Sequence, residues 1–154
     1  EQVHFKEMVD SLINLYSTSG NTKDIHFNVS INEQQPFWGD TFRIEIIIAN
    51  LLSNAIKCQR ADESDKLVAI GITTTPQQVV ITVEDNGIGI AEEDLTRIFD
   101  QFFKGANLDG LGLGLYILKE SLNKLNGTVD VQSAIGNGSV FKVIIPNEGA
   151  AAGA

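Results

Sequence analysis

The hydrophobic period of this chain changes along its length in an order that few architectures accommodate. Residues 3–16 set Met8, Val9, Leu12, Ile13 and Tyr16 on one helical face, and 25–31 then alternates with period two. Residues 32–39 read as a loop around Pro36, and Asp40 is a good N-cap for a helix running to Gln59. Strands are expected over 67–74 and 78–84, joined by a turn at Pro76. A short helix is expected near 92–99 and a Leu-striped one over 112–125, from the spacing of Leu111, Leu115, Leu118, Leu122 and Leu125. Residues 128–134 and 139–145 form a hairpin across Gly136-Asn-Gly138. The order is helix, strand, helix, two strands, two helices, two strands. This is neither a βαβ alternation nor an all-β pattern. It predicts an α/β (α+β) two-layer sandwich, with helices on one face of a mixed sheet.

At 154 residues one domain is expected, and 43% hydrophobic content can fill a single core. Twenty acidic against 11 basic residues give a net charge of −9, which argues against a nucleic-acid partner. A nucleotide is not excluded, since a pocket needs only a few local cations. The single cysteine, Cys58, leaves no disulfide framework and suits a reducing, cytoplasmic setting. No apolar run approaches the roughly 20 residues of a membrane span, and no secretory leader is expected, so an anchor of any parent protein would lie outside this segment. Residues 148–154 read as a flexible Gly/Ala tail.

Four polar clusters stand out. Gly105-Ala-Asn-Leu-Asp-Gly110-Leu-Gly112-Leu-Gly114 is glycine-rich and feeds a helix N-terminus, where bare N–H groups and the helix dipole favour phosphate. On the helix from Asp40, the residues Arg43, Asn50, Asn54 and Lys57 share a face away from its isoleucine and leucine stripe. Asn50 and Asn54 can offer amide oxygens to a hard cation such as Mg²⁺, and Lys57 can reach a phosphate; equally, the face can be merely solvated. Asp85 continues the inward stripe of Val79, Ile81 and Val83. A carboxylate there needs an N–H donor, which the adenine amine supplies and guanine does not; an Asx turn would also satisfy it. In Ile98-Phe-Asp-Gln-Phe-Phe-Lys104, the phenylalanines can pack in the core or anchor a lid, and Lys104 can meet a terminal phosphate.

Taken in order, the clusters resemble the catalytic and ATP-binding domain of sensor histidine kinases, in the superfamily shared with DNA gyrase, the heat-shock ninety chaperones and the mismatch-repair ATPases. Asn50-Leu-Leu-Ser-Asn54-Ala-Ile-Lys57 is similar to the N box, Asp85-Asn-Gly87-Ile-Gly89 to the G1 box, Ile98–Lys104 to the F box and Gly110-Leu-Gly112-Leu-Gly114 to the G2 box. The resemblance implies an ATP site between the helices and a short lid. By similarity Asn54 would ligate Mg²⁺, Asn50 would support the phosphate–metal end, and Lys57 and Lys104 would contact phosphate. Asp85 would read adenine, with Gly87, Gly89, Ile90, Phe102 and Leu113 shaping the pocket, while Gly110, Gly112 and Gly114 would wrap the phosphates. Asn50, Lys57 and Lys104 are the catalytic candidates.

The implied chemistry is transfer of the γ-phosphoryl of Mg-ATP to a histidine on a separate dimerisation domain. Neither His4 nor His26 has the acidic-and-proline context of such an acceptor, so both are expected to be structural. Residues 1–20 would then be a linker helix from that domain and 21–147 the catalytic domain. A response-regulator receiver would act downstream, and the parent would be a homodimer though this segment is monomeric. Leu111 stands where a hydroxyl residue is more usual, and only five residues separate Lys104 from Gly110. The rivals are a hydrolytic ATPase or serine kinase of the same superfamily, and a degenerate nucleotide-sensing scaffold. Hydrolytic members carry a Glu at the position of Asn50, and an amide cannot act as a base toward water.

Overall fold

The computed structural model describes residues 1–18, 22–103 and 113–149. Its elements are α1 (Phe5–Ser17), β1 (Ile25–Glu33), α2 (Thr41–Lys57), β2 (Lys66–Thr74), β3 (Gln78–Asp85), α3 (Gly114–Lys124), β4 (Thr128–Ser133) and β5 (Ser139–Pro146), with a single 3₁₀ turn at Glu92–Asp94. The five strands lie in the order β1-β2-β3-β5-β4. Only β1 and β2 are parallel, and the crossover that a parallel pair requires is α2. The remaining pairs are antiparallel.

Alternation fixes which face is covered. Val68, Ile70 and Ile72 of β2, Val79, Ile81 and Val83 of β3, and Phe141, Val143 and Ile145 of β5 are all buried. They form one core with Ile44, Ile47, Ile48, Leu51, Leu52 and Ala55 of α2 and Leu118 and Leu122 of α3. The expected helix-on-sheet sandwich is the observed one. Asp40 caps α2 as expected, its side chain accepting the Arg43 N–H at 3.1 Å. At the other end of the helical layer Asn126 takes φ 56°. It closes α3 with bonds from Asn126 N–H to Asn123 O and from Gly127 N–H to Leu122 O, a Schellman arrangement.

Helix α1 is built into this core. Phe5, Met8, Val9 and Leu12 are buried in it, and Phe5 meets Phe37 edge-on at 5.5 Å. The chain before α1 is strapped to the entry of α2 by Val3 N–H to Phe37 O and Gly39 N–H to Glu1 O. The Tyr16 hydroxyl donates to Ala49 O at 3.0 Å. A helix read from the sequence as a linker therefore contributes to the packing of the catalytic unit.

The helix expected near 92–99 is not present. Beyond the turn at Glu92–Asp94, Arg97 N–H bonds Asp94 O, Asp100 N–H bonds Arg97 O, and Phe103 N–H bonds Asp100 O. These are successive i to i−3 turns. Leu95 and Ile98 stand three residues apart, a spacing that three-residue turns meet as well as a helix does. The expected start of the last helix at Gly112 lies outside the described residues, as do the lid and the tail beyond Gly149.

Candidate functional site

The inward stripe of β3 ends in a charge. Asp85 is 3% exposed, and its Oδ1 accepts the Gly87 N–H at 2.9 Å. Burial pushes its pKa up to about 6, against the opposing N–H groups of Gly87 and Ser139 and helped by the neighbouring Glu84 charge. The Asx turn is thus formed, and the carboxylate still has acceptor capacity left, because the Gly87 N–H does not fill its roughly four lone-pair positions.

The loop after Asp85 is bolted on three sides. Ile88 N–H donates to Cys58 O at 2.8 Å, just past the end of α2. Asn86 Oδ1 accepts from Leu67 N–H at 2.9 Å, and its Nδ2 donates to Asp65 O at 2.7 Å, beside β2. Toward the β4–β5 hairpin, Gly136 N–H bonds Ile88 O and Ile90 N–H bonds Ser133 Oγ, at 2.8 and 2.7 Å. Two glycines are required by this closeness. A Cβ at Gly87 would collide with the Cys58 carbonyl, and one at Gly89, whose φ is +74°, with the Ala134 carbonyl. Ile90 is half-buried against the core.

On α2 the polar face divides. Arg43 pairs with Asp40 at 3.7 Å and belongs to the cap. Asn50, Asn54 and Lys57 lie in the C-terminal half. Asn50 Nδ2 donates back to Ile46 O at 2.9 Å, leaving its Oδ1 toward the start of α3, 3.2 Å from where a Cβ of Gly114 would sit. Asn54 Oδ1 takes the Cys58 thiol at 3.8 Å. Lys57 is exposed and has no ion pair among the described residues. Cys58 lies between the clusters: burial pushes its thiol up to about 12, with Asp85 raising it further and Lys57 opposing. The thiol therefore stays protonated and acts as a donor. Among the described residues, helix α3 begins with no side-chain cap at Leu113 and no side chain accepts from its first N–H groups.

The phenylalanines split. Phe99 and Phe103 pack against the core beside buried Ile98, and Arg97 stacks over the Phe103 ring at 4.7 Å. Phe102 is 61% exposed with φ 65°. Lys104, Gly110, Leu111 and Gly112 lie outside the described residues. His4 and His26 are both exposed, so burial assigns neither of them a core role.

The structure thus brings Asn50, Asn54, Asp85, Gly87, Gly89 and Gly114 to one end of the helix–sheet interface. It also adds residues that the sequence reading gave no role beyond the hairpin: Ser133 and Ser139 in its strands and Gly138 in its turn. A Cβ at Gly138, φ +77°, would collide with the Asp85 carbonyl, so the Gly-Asn-Gly signal marked a close approach as well as a hairpin.

Residues 39–149 match the family model described as histidine kinase-, DNA gyrase B-, and HSP90-like ATPase. This chain belongs to that family. Among curated relatives, the ATPase domain is 32% identical over 127 residues to a probable C4-dicarboxylate sensor kinase of Bacillus subtilis, covering 81% of this chain and 24% of the relative. It is 34% identical to the sensor histidine kinase AtsR of Burkholderia thailandensis, covering 84% of this chain and 23% of that protein. The chain therefore spans about a quarter of the length of these relatives. Among solved structures, the mycobacterial sensor histidine kinase MprB superposes with a TM-score of 0.78 at 25% identity, over 96% of this chain and 97% of that one. The catalytic domain of histidine kinase ThkA gives 0.78 at 25% identity, over 96% and 95%. The family match and these relatives together make the chain an ATP-binding catalytic domain of the sensor histidine kinase type. No described helix of this ATPase domain is long and apolar enough to cross a membrane.

Proposed function

We propose that this domain binds Mg-ATP with the base at Asp85 and the phosphates at the α2–α3 end, and passes the γ-phosphoryl to a histidine on another domain of the same protein. The observation that carries the reading is Asp85: a buried carboxylate at the end of an apolar stripe, with acceptor capacity toward an amine. An N–H donor from adenine would relieve part of its burial cost, whereas a guanine carbonyl would add to it.

The donor set suits the metal. No cluster of three or more His, Cys, Asp or Glu exists among the described residues. Mg²⁺ commonly keeps waters and phosphate oxygens and takes few protein ligands. Asn54 Oδ1, with Asn50 one helical turn away, is such a neutral, hard-oxygen contribution. When bound, the ion would neutralise phosphate charge. Lys57 and Lys104 would add cationic stabilisation, and the uncapped N–H groups of α3, with Gly110, Gly112 and Gly114, would receive phosphate oxygens. Asn50 supports transfer to a protein nucleophile over hydrolysis, since it cannot take a proton from water. The acceptor domain, a homodimeric parent, a downstream receiver domain and a cytoplasmic setting belong to the same proposal, in keeping with relatives about four times longer.

The test is calorimetry of the chain with Mg-ATP, followed by radiolabelled ATP with and without a histidine-bearing dimerisation domain. Binding, negligible self-labelling and acid-labile transfer to the added domain are expected. Steady turnover to ADP by the chain alone would point to a hydrolase, and absence of binding to a scaffold. Acid-labile label on His4 or His26 would overturn the separate-domain acceptor.

A further inference from the structure

The hydroxyl of Ser133 has one proton to give and two lone pairs to offer, and all three are used. It donates to Gly138 O at 2.8 Å. It accepts the Ile90 N–H at 2.7 Å and lies 2.8 Å from Ser139 Oγ. With its proton committed to Gly138, the Ser139 hydroxyl must be the donor of that last bond. Ser139 is itself 4% exposed and pairs with Asp85 across the β3–β5 ladder. One half-buried hydroxyl on β4 thereby joins the far end of the glycine loop, the hairpin turn and the strand that holds Asp85.

We infer that Ser133 is a positioning residue for base recognition: it fixes the 86–90 loop and the Ser139 strand against each other and so sets the direction in which Asp85 presents its carboxylate. It touches no ligand itself. The inference rests on the reading of Asp85 as the group that receives the adenine amine. Without the Ser133 hydroxyl, the Ile90 N–H and the Gly138 carbonyl lose this partner, and among the described residues the loop keeps the bonds of Gly87 to Asp85, of Ile88 to Cys58 and Gly136, and of the Asn86 side chain.

The experiment compares ATP with purine riboside triphosphate, which lacks the 6-amino group, on wild type, Ser133→Ala, Ser133→Cys and Ser133→Thr. Wild type is expected to prefer ATP at least tenfold. In S133A the preference should fall to within about twofold; S133C, whose thiol is a weak acceptor of similar shape, should follow it, and S133T should restore it. If S133A does not fold, the cysteine–threonine pair carries the comparison. In the ligand-free protein, hydrogen exchange at the Ile90 amide should be at least tenfold faster in S133A or S133C than in wild type and S133T. A wild-type preference that survives unchanged in S133A and S133C, or unchanged exchange at Ile90, overturns this inference alone. A wild type with no preference for the amino group overturns the reading of Asp85 and this inference with it.

Discussion

The two ends of the proposed nucleotide site, a base end at Asp85 and a phosphate end where α2 meets α3, are built on opposite principles. At the base end Asp85, Gly87 and Gly89 are buried, and the loop between them is bonded to α2, to the start of β2 and to the β4–β5 hairpin. At the phosphate end Asn50 and Asn54 are half-buried, Lys57 is exposed, and α3 starts without a side-chain cap among the described residues. The base end is shaped by protein–protein hydrogen bonds before any ligand arrives, at the expense of burying a carboxylate. The phosphate end leaves donors unspent for a highly charged group that brings its own counter-ion. Preorganisation suits the part that must discriminate; unspent donors suit the part that must hold charge.

The comparison breaks most visibly at Asp85. Asp85→Asn should lower ATP affinity about 100-fold or more, roughly 2.7 kcal/mol, in a calorimetric titration. The same variant should be more stable at neutral pH. A folded pKa of about 6 against an unfolded value near 3.9 means that the carboxyl favours the fold below the unfolded value, and that this is lost as pH rises through about 6. The charged form then costs roughly 3 kcal/mol at pH 7.5 and about half that at pH 5, so melting should show D85N gaining about 5–10 °C at pH 7.5 and about half as much at pH 5. In wild type ATP binding should weaken below about pH 6, where the carboxyl protonates, and D85N should not show that step. Equal loss of stability at both pH values would mean that the carboxylate is structural.

Next in size is the contrast between two positive-φ glycines. Gly89→Ala puts a Cβ into the Ala134 carbonyl and should cost about 3 kcal/mol of stability and at least tenfold in affinity. Gly136→Ala has the same kind of backbone with open space around it, and should cost about 1 kcal/mol with affinity unchanged. Chemical denaturation and nucleotide titration of the pair separate loop placement from backbone strain. The smallest effect belongs to the other end. Lys57→Ala should weaken ATP about fivefold, more at low salt than at high, and leave the melting temperature within a degree or two. A large stability loss there would erase the distinction between the two ends.

The architecture was legible because its periods were unambiguous: the isoleucines of α2 repeat at helical spacing, and Val79, Ile81 and Val83 alternate into Asp85. The 92–99 segment was misread because i, i+3 spacing does not separate a helix from a chain of three-residue turns. The contribution of α1 to the core was hidden because amphipathicity says that a face is covered but not by what. Of the site, Asp85, Gly87 and Gly89 announced themselves as a charge and two glycines out of place. Ser133 and Ser139 did not, since a serine in a strand carries no pattern; only the register that sets β5 beside β3 gives them a role.

The base end is assembled from residues 58, 85–90 and 133–139, which meet only when the last hairpin is laid against the sheet. Its contacts are long-range, and closing such loops is a late and entropically expensive event for an emerging chain. A nascent or truncated copy lacking β5 would have the helix with its asparagines and the loop with its glycines, yet no pocket for a purine. With the base placed as proposed, nucleotide binding in this domain is also a certificate of completed folding: a chain that is not finished has nowhere to put the base.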